Sequence, residues 1–131
     1  MPPPDRLTPL ETLVMGVLWD GSPVTVREVR NHLEDQKPMA YNTVLTVLRI
    51  LRDKGFVSSE RVGRSDLYRP AVTRERMAER SLRETLQAFF RGSSAALVSN
   101  LLRTQGLSSE ELGRIREEVD RRLAEEGGKS S

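Results

Sequence analysis

Hydrophobic residues recur at helical spacing near the start of the chain and predict two short helices in tandem. The first helix begins at a capping box, with Thr8 as the N-cap and Glu11 as the third helical residue. A second capping box, formed by Thr25 and Glu28, begins the second helix. Each apolar stripe needs another element to cover it. The stripes consist of Leu10, Leu13, Val14, Val17 and Leu18 in the first helix, and of Val26, Val29 and Leu33 in the second.

The third predicted helix, from about residue 40 to residue 54, divides into an apolar face and a narrow polar strip. Gly55 follows it, and glycine suits the left-handed position that ends many helices. Turning by about 100° per residue places the apolar residues in one wide sector and the polar residues opposite, with Thr43 and Ile50 beside the polar strip. The apolar sector consists of Val44, Leu45, Val47, Leu48 and Leu51, and the polar strip of Asn42, Thr46, Arg49 and Asp53.

After Gly55 the pattern changes to a β-hairpin with a basic tip. Residues 56–61 and 67–70 are the predicted strands, and residues 62–66 are the predicted turn. Three short helices followed by a hairpin form the order of a winged helix-turn-helix, whose third helix enters the DNA major groove. The net charge of the whole chain is only +2, but residues 37–69 carry seven basic and three acidic side chains. This local excess favours contact with DNA phosphates.

Beyond the hairpin the apolar spacing is helical again, and Gly92 and Gly106 divide this region into three further helices. The apolar seam of the last helix is narrow and resembles that of a coiled coil. Because the preceding domain is too small to cover these seams, we expect them to pair with a second copy of the chain. The expected dimer contacts are Leu86, Phe89, Phe90, Leu97, Leu101, Leu112, Ile115, Val119 and Leu123.

The predicted fold is therefore mainly α, with a winged helix-turn-helix followed by a helical dimerisation region. We expect the DNA-binding domain to span residues 7–71 and the dimerisation domain residues 72–126. We expect the two ends, residues 1–6 and 127–131, to be disordered. No apolar run approaches the roughly 20 residues that cross a bilayer, and the N-terminus does not resemble a signal peptide. These features predict a cytoplasmic protein without membrane insertion.

Composition argues against catalysis and bound metal. The chain has no cysteine, which excludes disulfides, thiolate nucleophiles and thiolate metal sites. His32 is the only histidine, and we expect it to be an ordinary helix residue. The sequence has neither a carboxylate pair nor a glycine-rich phosphate loop that would indicate an active site. We expect no enzymatic activity, no metal and no cofactor.

The residue types on the third helix favour base recognition. Asparagine can pair with adenine, arginine with guanine, and a threonine methyl can contact the thymine methyl. We expect base contacts from Asn42, Thr43, Thr46 and Arg49, and phosphate or wing contacts from Thr25, Arg27, Tyr41, Arg52, Lys54, Arg61, Arg64 and Ser65. For Tyr41 and Tyr68, packing is favoured over contact with DNA. The alternative for the whole protein is a winged-helix module that docks a protein partner without specific DNA binding.

The segment from Met39 to Gly55, MAYNTVLTVLRILRDKG, resembles the penicillinase and methicillin-resistance repressor family (BlaI/MecI). The likeness continues through parts of residues 7–19, 96–100 and 107–112, and covers roughly residues 7–124. The resemblance implies a homodimeric repressor whose partner is a double-stranded DNA operator with inverted half-sites related to TACA and TGTA. It also implies that the C-terminal helices form the dimer. It also implies control of antibiotic-resistance or envelope-stress genes.

Individual positions both match and depart from the family's pattern. Thr43 and Thr46 match the two threonines of the family's recognition helix. Ile50 stands where familiar members carry arginine, and Leu45 where several members do. Arg49 is a partial replacement for these arginines. The family's operator sequence is therefore not carried over to this chain.

The resemblance also implies derepression through a membrane-bound sensor protease. Family members are cut between an asparagine and a phenylalanine, and the corresponding bond here joins Asn100 to Leu101. Leucine preserves an apolar side chain at that position. The alternative is that Leu101 only packs within the helical tail.

Overall fold

A computed structural model describes residues 6–129, and the mainly helical winged helix-turn-helix architecture is confirmed. The expected disorder of residues 1–5 and 130–131 lies outside the described residues. No helix in the described range is long and apolar enough to cross a membrane. The elements are α1 (Pro9–Asp20), α2 (Val26–Leu33), α3 (Tyr41–Asp53), β1 (Val57–Val62), β2 (Ser65–Pro70), α4 (Arg74–Phe90), α5 (Ser94–Thr104) and α6 (Ser109–Lys129).

Both predicted capping boxes are confirmed and determine where α1 and α2 begin. The Thr8 hydroxyl accepts a hydrogen bond from the Glu11 N–H at 3.1 Å, and the Glu11 carboxylate accepts one from the Thr8 N–H at 2.8 Å. Thr25 and Glu28 repeat this exchange, with both distances 3.2 Å. Each box satisfies two backbone or side-chain donors that a helix start would otherwise leave unpaired.

The core of the first compact unit forms where the apolar faces of α1, α2 and α3 meet. Leu18, Leu33 and Leu48 are buried there, and Tyr68 of β2 is fully buried beside them. Tyr68 also exchanges two backbone hydrogen bonds with Val24, at 2.8 and 3.1 Å, which attach the hairpin to the loop before α2. The α3 face opposite the core is consequently held outward. The predicted apolar sector of α3 is buried except for Leu45, which is half-buried at its edge.

The hairpin has a shorter turn than the sequence pattern predicts. β1 and β2 are antiparallel, and Val62 pairs with Ser65, so only Gly63 and Arg64 form the turn. Gly63 has φ +63°, a value that glycine adopts without steric cost. Polar Ser65 and Asp66 belong to β2 instead of the turn. Asp66 lies opposite Arg61 in the register, and the two side chains form an ion pair at 3.6 Å.

The first compact unit extends through the start of α4, as far as Leu82. The Trp19 indole N–H donates to the Val72 carbonyl at 2.9 Å. Arg74 lies over the Trp19 ring, 5.6 Å from its centroid, and its guanidinium pairs with Asp20 at 2.6 Å. These contacts attach the segment after the hairpin to the end of α1.

The second compact unit begins at Arg83 and contains the rest of α4 together with α5 and α6. Arg91 and Gly92 both have left-handed φ values, 49° and 79°, which end α4 where the sequence predicts it. The last helix is longer than expected, since α6 continues to Lys129 through two glycines expected in a disordered tail. Glycine costs a helix only about 1 kcal/mol relative to alanine. Arg122 pairs with Glu126 at 3.2 Å across one turn and supports this end.

Candidate nucleic-acid interface

All four expected base-reading residues lie on the exposed face of α3. Asn42, Thr43, Thr46 and Arg49 are each solvent-exposed, while buried Val44, Leu48 and Leu51 hold the opposite face against the core. Asp53 and Ile50 are exposed on the same outward surface. The amphipathic pattern of the sequence therefore predicts correctly which side of α3 faces solvent.

Thr46 uses its hydroxyl within the helix. Its Oγ1 donates to the Asn42 carbonyl at 2.8 Å, one turn earlier. This hydrogen bond fixes the hydroxyl against the backbone, which is a common arrangement for threonine inside a helix. The methyl group of Thr46 is consequently the part of the side chain that is free of hydrogen bonding on the exposed face.

α3 begins without a side-chain cap. Its N-cap residue is Ala40, whose side chain cannot accept a hydrogen bond, in contrast to the threonines that cap α1 and α2. The carbonyl of Ala40 accepts from the N–H groups of Thr43 and Val44, at 3.1 and 3.2 Å. Backbone N–H groups at helix starts are frequent phosphate contacts in DNA complexes.

The tip of the hairpin presents a small basic surface. Arg61, Arg64 and Ser65 are exposed there, as is Val62. Arg64 occupies the second turn position, while Arg61 forms an ion pair with Asp66 on the opposite strand. Arg52 connects this hairpin to α3, because its guanidinium donates to the Ser59 hydroxyl of β1 at 3.2 Å. Recognition helix and wing are thus joined by a side-chain contact as well as through the core.

The structure gives Lys54 a different role from the expected phosphate contact. Its ammonium lies 2.9 Å from both carboxylate oxygens of Glu11 and 3.3 Å from the Arg6 carbonyl. These acceptors use the three donors of the ammonium, and the side chain is only 17% exposed. Lys54 therefore anchors the end of α3 to α1, and its phosphate role is corrected to a structural one.

Glu11 is the acidic partner in this anchor and is 5% exposed. Burial by itself raises the pKa of its carboxyl, because water no longer solvates the charge. The hydrogen bonds from Lys54 and from the Thr8 N–H outweigh that effect and hold the pKa below the ordinary value of a glutamate. Glu11 is therefore a carboxylate at neutral pH.

The remaining expected phosphate contacts lie at the start of α2 and of α3. Arg27 is exposed, and Thr25 is half-buried with its hydroxyl engaged in the capping box. Tyr41 is 44% exposed, so it does not pack in the core. Tyr68 does pack in the core, as expected. Burial raises the pKa of the Tyr68 hydroxyl, whose oxygen has no hydrogen-bond partner among the described residues.

The second unit presents the expected dimer contacts as exposed or half-buried apolar side chains. Phe89 is 78% exposed and Leu123 is 64% exposed, whereas Ile115 is half-buried. Val98 and Leu102, which are not among the expected dimer contacts, are exposed as well. Leu86, Phe90 and Leu97 are half-buried, and Leu101, Leu112 and Val119 are exposed.

The expected cleavage bond between Asn100 and Leu101 lies inside α5, and both residues are exposed. In the part of the chain that the structure describes, no three acidic or histidine side chains gather as metal ligands would. The described surface places hydrogen-bond donors, acceptors and apolar groups on one helix beside a basic hairpin.

The comparisons with known proteins agree with this geometry. Residues 7–121 match the family model described as penicillinase repressor. A transcriptional regulator BlaI of Mycobacterium tuberculosis is 36% identical over 118 residues, which cover 88% of this chain and 86% of that protein. A penicillinase repressor of Bacillus licheniformis is 27% identical over 110 residues, covering 84% and 86%. The solution structure of the DNA-binding domain of the repressor BlaI covers 56% of this chain and 90% of its own, with a TM-score of 0.50 and 27% identity.

Proposed function

Since this chain belongs to the penicillinase repressor family of DNA-binding regulators, we propose that it represses transcription as a homodimer on an inverted-repeat operator. The observation that carries this proposal is the exposed polar strip of α3 beside the basic tip of the hairpin. The regulated genes belong to antibiotic resistance or envelope stress, by the resemblance to the family. The protein acts in the cytoplasm, where operator DNA is accessible to it, and has no catalytic activity of its own.

In this proposal α3 lies in the major groove and reads base edges through Asn42, Thr43, Thr46 and Arg49. Phosphates are contacted by α2, by the first turn of α3 and by the wing. Two-fold symmetry then places the two recognition helices about 34 Å apart, one turn of DNA, or a multiple of that spacing. The phosphate contacts are Thr25, Arg27, Tyr41, Arg52, Arg61, Arg64 and Ser65.

Arg49 and Arg64 are expected to make different kinds of DNA contact, Arg49 to a base and Arg64 to a phosphate. Arg49→Ala should weaken the operator complex by about 1–3 kcal/mol and should relax specificity at one base pair, if the guanidinium pairs bidentately with guanine. Arg64→Ala should weaken all duplexes alike and reduce the slope of log affinity against log salt by about one. Fluorescence anisotropy with an operator and a scrambled duplex, over a series of salt concentrations, measures both effects.

Arg114→Ala is the matched control, since it removes an exposed arginine from the side of α6 opposite the apolar seam. It should change neither specificity nor salt slope. The operator itself comes from selecting genomic fragments bound by the purified full-length protein. A selection that enriches no sequence, together with a salt-insensitive complex with a protein partner, would contradict repression and favour the protein-interaction module.

The dimer is supported by the apolar side chains that α4, α5 and α6 leave exposed. Several of these side chains are at least 45% exposed in a single chain, among them Phe89, Leu101 and Leu123, and exposed apolar groups in such number favour an interface. A second copy related by a two-fold axis would cover the same residues on both chains. The dimer would also tether two DNA-binding domains, one for each half-site. This tethering increases operator affinity without any new base contact.

We further propose that a membrane-bound sensor protease relieves repression by cutting between Asn100 and Leu101. The cut would separate α6 and its apolar seam from the DNA-binding domain of residues 7–71, the reading domain. It would lower operator occupancy while leaving every DNA contact intact. The bond lies within a helix, so α5 must open locally before a protease can bind it.

Cells that receive a β-lactam should therefore convert tagged protein into two fragments, one ending at Asn100 and one beginning at Leu101. Immunoblotting follows the conversion, and mass spectrometry identifies the new termini. Asn100→Ala protein should stay intact and keep its target genes repressed. A parent chain that remains full length while those genes are induced would contradict cleavage and would indicate a ligand or partner as the signal.

A further inference from the structure

The exposed face of α3 has two chemically different halves. At about 100° per residue, Arg49, Asn42 and Asp53 lie along one side, and Thr46, Ile50 and Thr43 along the other. The first half carries only polar and charged groups. The second half carries two threonine methyls and the side chain of an isoleucine. This division indicates two kinds of contact with a partner that lies along the helix.

Ile50 is the unusual member of this surface. Every other aliphatic residue of α3, all of them described by the structure, is buried or half-buried, whereas Ile50 is 42% exposed. It contributes little to the core that positions the helix. A single exposed isoleucine is ordinary on a protein surface. Ile50 is significant because it lies beside the polar strip, on the surface that faces the proposed major groove.

Thr46 extends the apolar surface of Ile50. Its hydroxyl donates to the Asn42 carbonyl at 2.8 Å, so its methyl group is the part without a hydrogen bond. Residues four apart are neighbours on a helix, and the Thr46 methyl and the Ile50 side chain are therefore adjacent. Together they form a small apolar surface bordered by Asn42 and Arg49.

We infer that Ile50, together with the Thr46 methyl, binds the C5-methyl group of a thymine in each operator half-site. The inference rests on the proposed function, in which α3 enters the major groove. Thymine is the one standard base that presents a methyl group there, and apolar side chains recognise it by contact. The isoleucine side chain has no donor or acceptor, so adenine, guanine or cytosine at the same place would lose hydrogen bonds to water without gaining a methyl contact. Ile50 therefore selects thymine both by attraction and by exclusion.

The test removes one methyl group at a time from the DNA. In the operator selected by the full-length protein, each thymine is replaced singly by uracil, which keeps base pairing and lacks only the C5-methyl. Burial of one methyl contributes about 0.8 kcal/mol, which corresponds to a roughly fourfold loss of affinity. We expect this loss at one thymine per half-site, and we expect it to be smaller in Ile50→Ala protein, which keeps only the Thr46 methyl.

Arg114→Ala protein should keep the full uracil sensitivity of the parent, and circular dichroism checks that Ile50→Ala protein is folded. If the parent binds its operator specifically but no uracil substitution weakens binding, the inference is wrong and the proposed function stands. The same conclusion follows if the sensitivity is undiminished in Ile50→Ala protein. If the parent enriches no sequence at all, the proposed function fails and the inference fails with it.

Discussion

Lys54→Met is expected to lower the free energy of unfolding by about 2–4 kcal/mol, because it leaves the Glu11 carboxylate buried without its cation. Methionine keeps most of the aliphatic length of lysine, so the loss reports mainly the missing ammonium. The expected loss lies toward the lower end of the range for broken buried ion pairs, because 17% of the Lys54 side chain is exposed. Urea denaturation followed by Trp19 fluorescence and circular dichroism measures the loss.

The double variant Glu11→Gln, Lys54→Met is the control. It removes the Glu11 carboxylate that Lys54→Met leaves buried and unpaired, so it should recover part of the lost stability. A double variant as unstable as the sum of two independent losses would show that the two side chains do not interact.

Acid should reduce the difference between parent and Lys54→Met protein. The pKa of Glu11 is lower in the folded parent than in an unfolded chain. Its stabilising contribution is therefore complete above the ordinary pKa of about 4.3 and is lost as the pH falls through the folded value. In the variant the part of that contribution that comes from Lys54 is absent at every pH, while the hydrogen bond from the Thr8 N–H remains. A stability difference that stays constant from about pH 7 to pH 3 would contradict the ion pair.

Ile115→Asp is expected to weaken operator binding by about 10²–10⁴-fold, because an aspartate in the apolar seam of α6 opposes dimerisation and unlinks the two half-site readers. The reading domain should keep its fold, since its core contains no residue from α6. Light scattering at micromolar concentration should give a monomer, and anisotropy with whole and half operators should give nearly equal affinities.

Two further variants separate lost dimerisation from lost folding. Leu123→Asp changes a side chain that is 64% exposed in the single chain, so it should break the dimer with little effect on the helices themselves. Arg114→Asp introduces the same side chain on the opposite side of α6 and should leave the dimer intact. Parent protein that is monomeric in light scattering would refute the proposed architecture.

The sequence predicts most of the reading domain because its signals are local. Each capping box lies within four residues, and the two faces of α3 follow from helical periodicity. Gly55 has φ +86°, as expected for a residue that ends a helix. Such features depend on neighbours in the chain, which a single sequence contains.

The misjudged features depend on contacts between distant residues or across a hairpin. Lys54 has the charge of a phosphate contact, but Glu11, 43 positions away, uses that charge in the structure. Aspartate is common in turns, yet Asp66 belongs to β2, where it lies opposite Arg61 and forms an ion pair with it. The base contacts of α3 and the apolar contacts of α6 remain predictions, because their partners are other molecules.

The uncapped start of α3 leaves the recognition helix without a side-chain acceptor for its first backbone N–H groups in the unbound protein. An N-cap side chain is worth about 1 kcal/mol to a helix, and Ala40 provides none. A DNA phosphate at that end would accept the backbone N–H groups and would also be attracted by the positive end of the helix dipole. Part of the helix's own stability would thus be supplied by the duplex, so that the first turn becomes more rigid on DNA of any sequence. Ordering of that turn would precede base reading, and the protein would scan non-specific DNA with its recognition helix already completed.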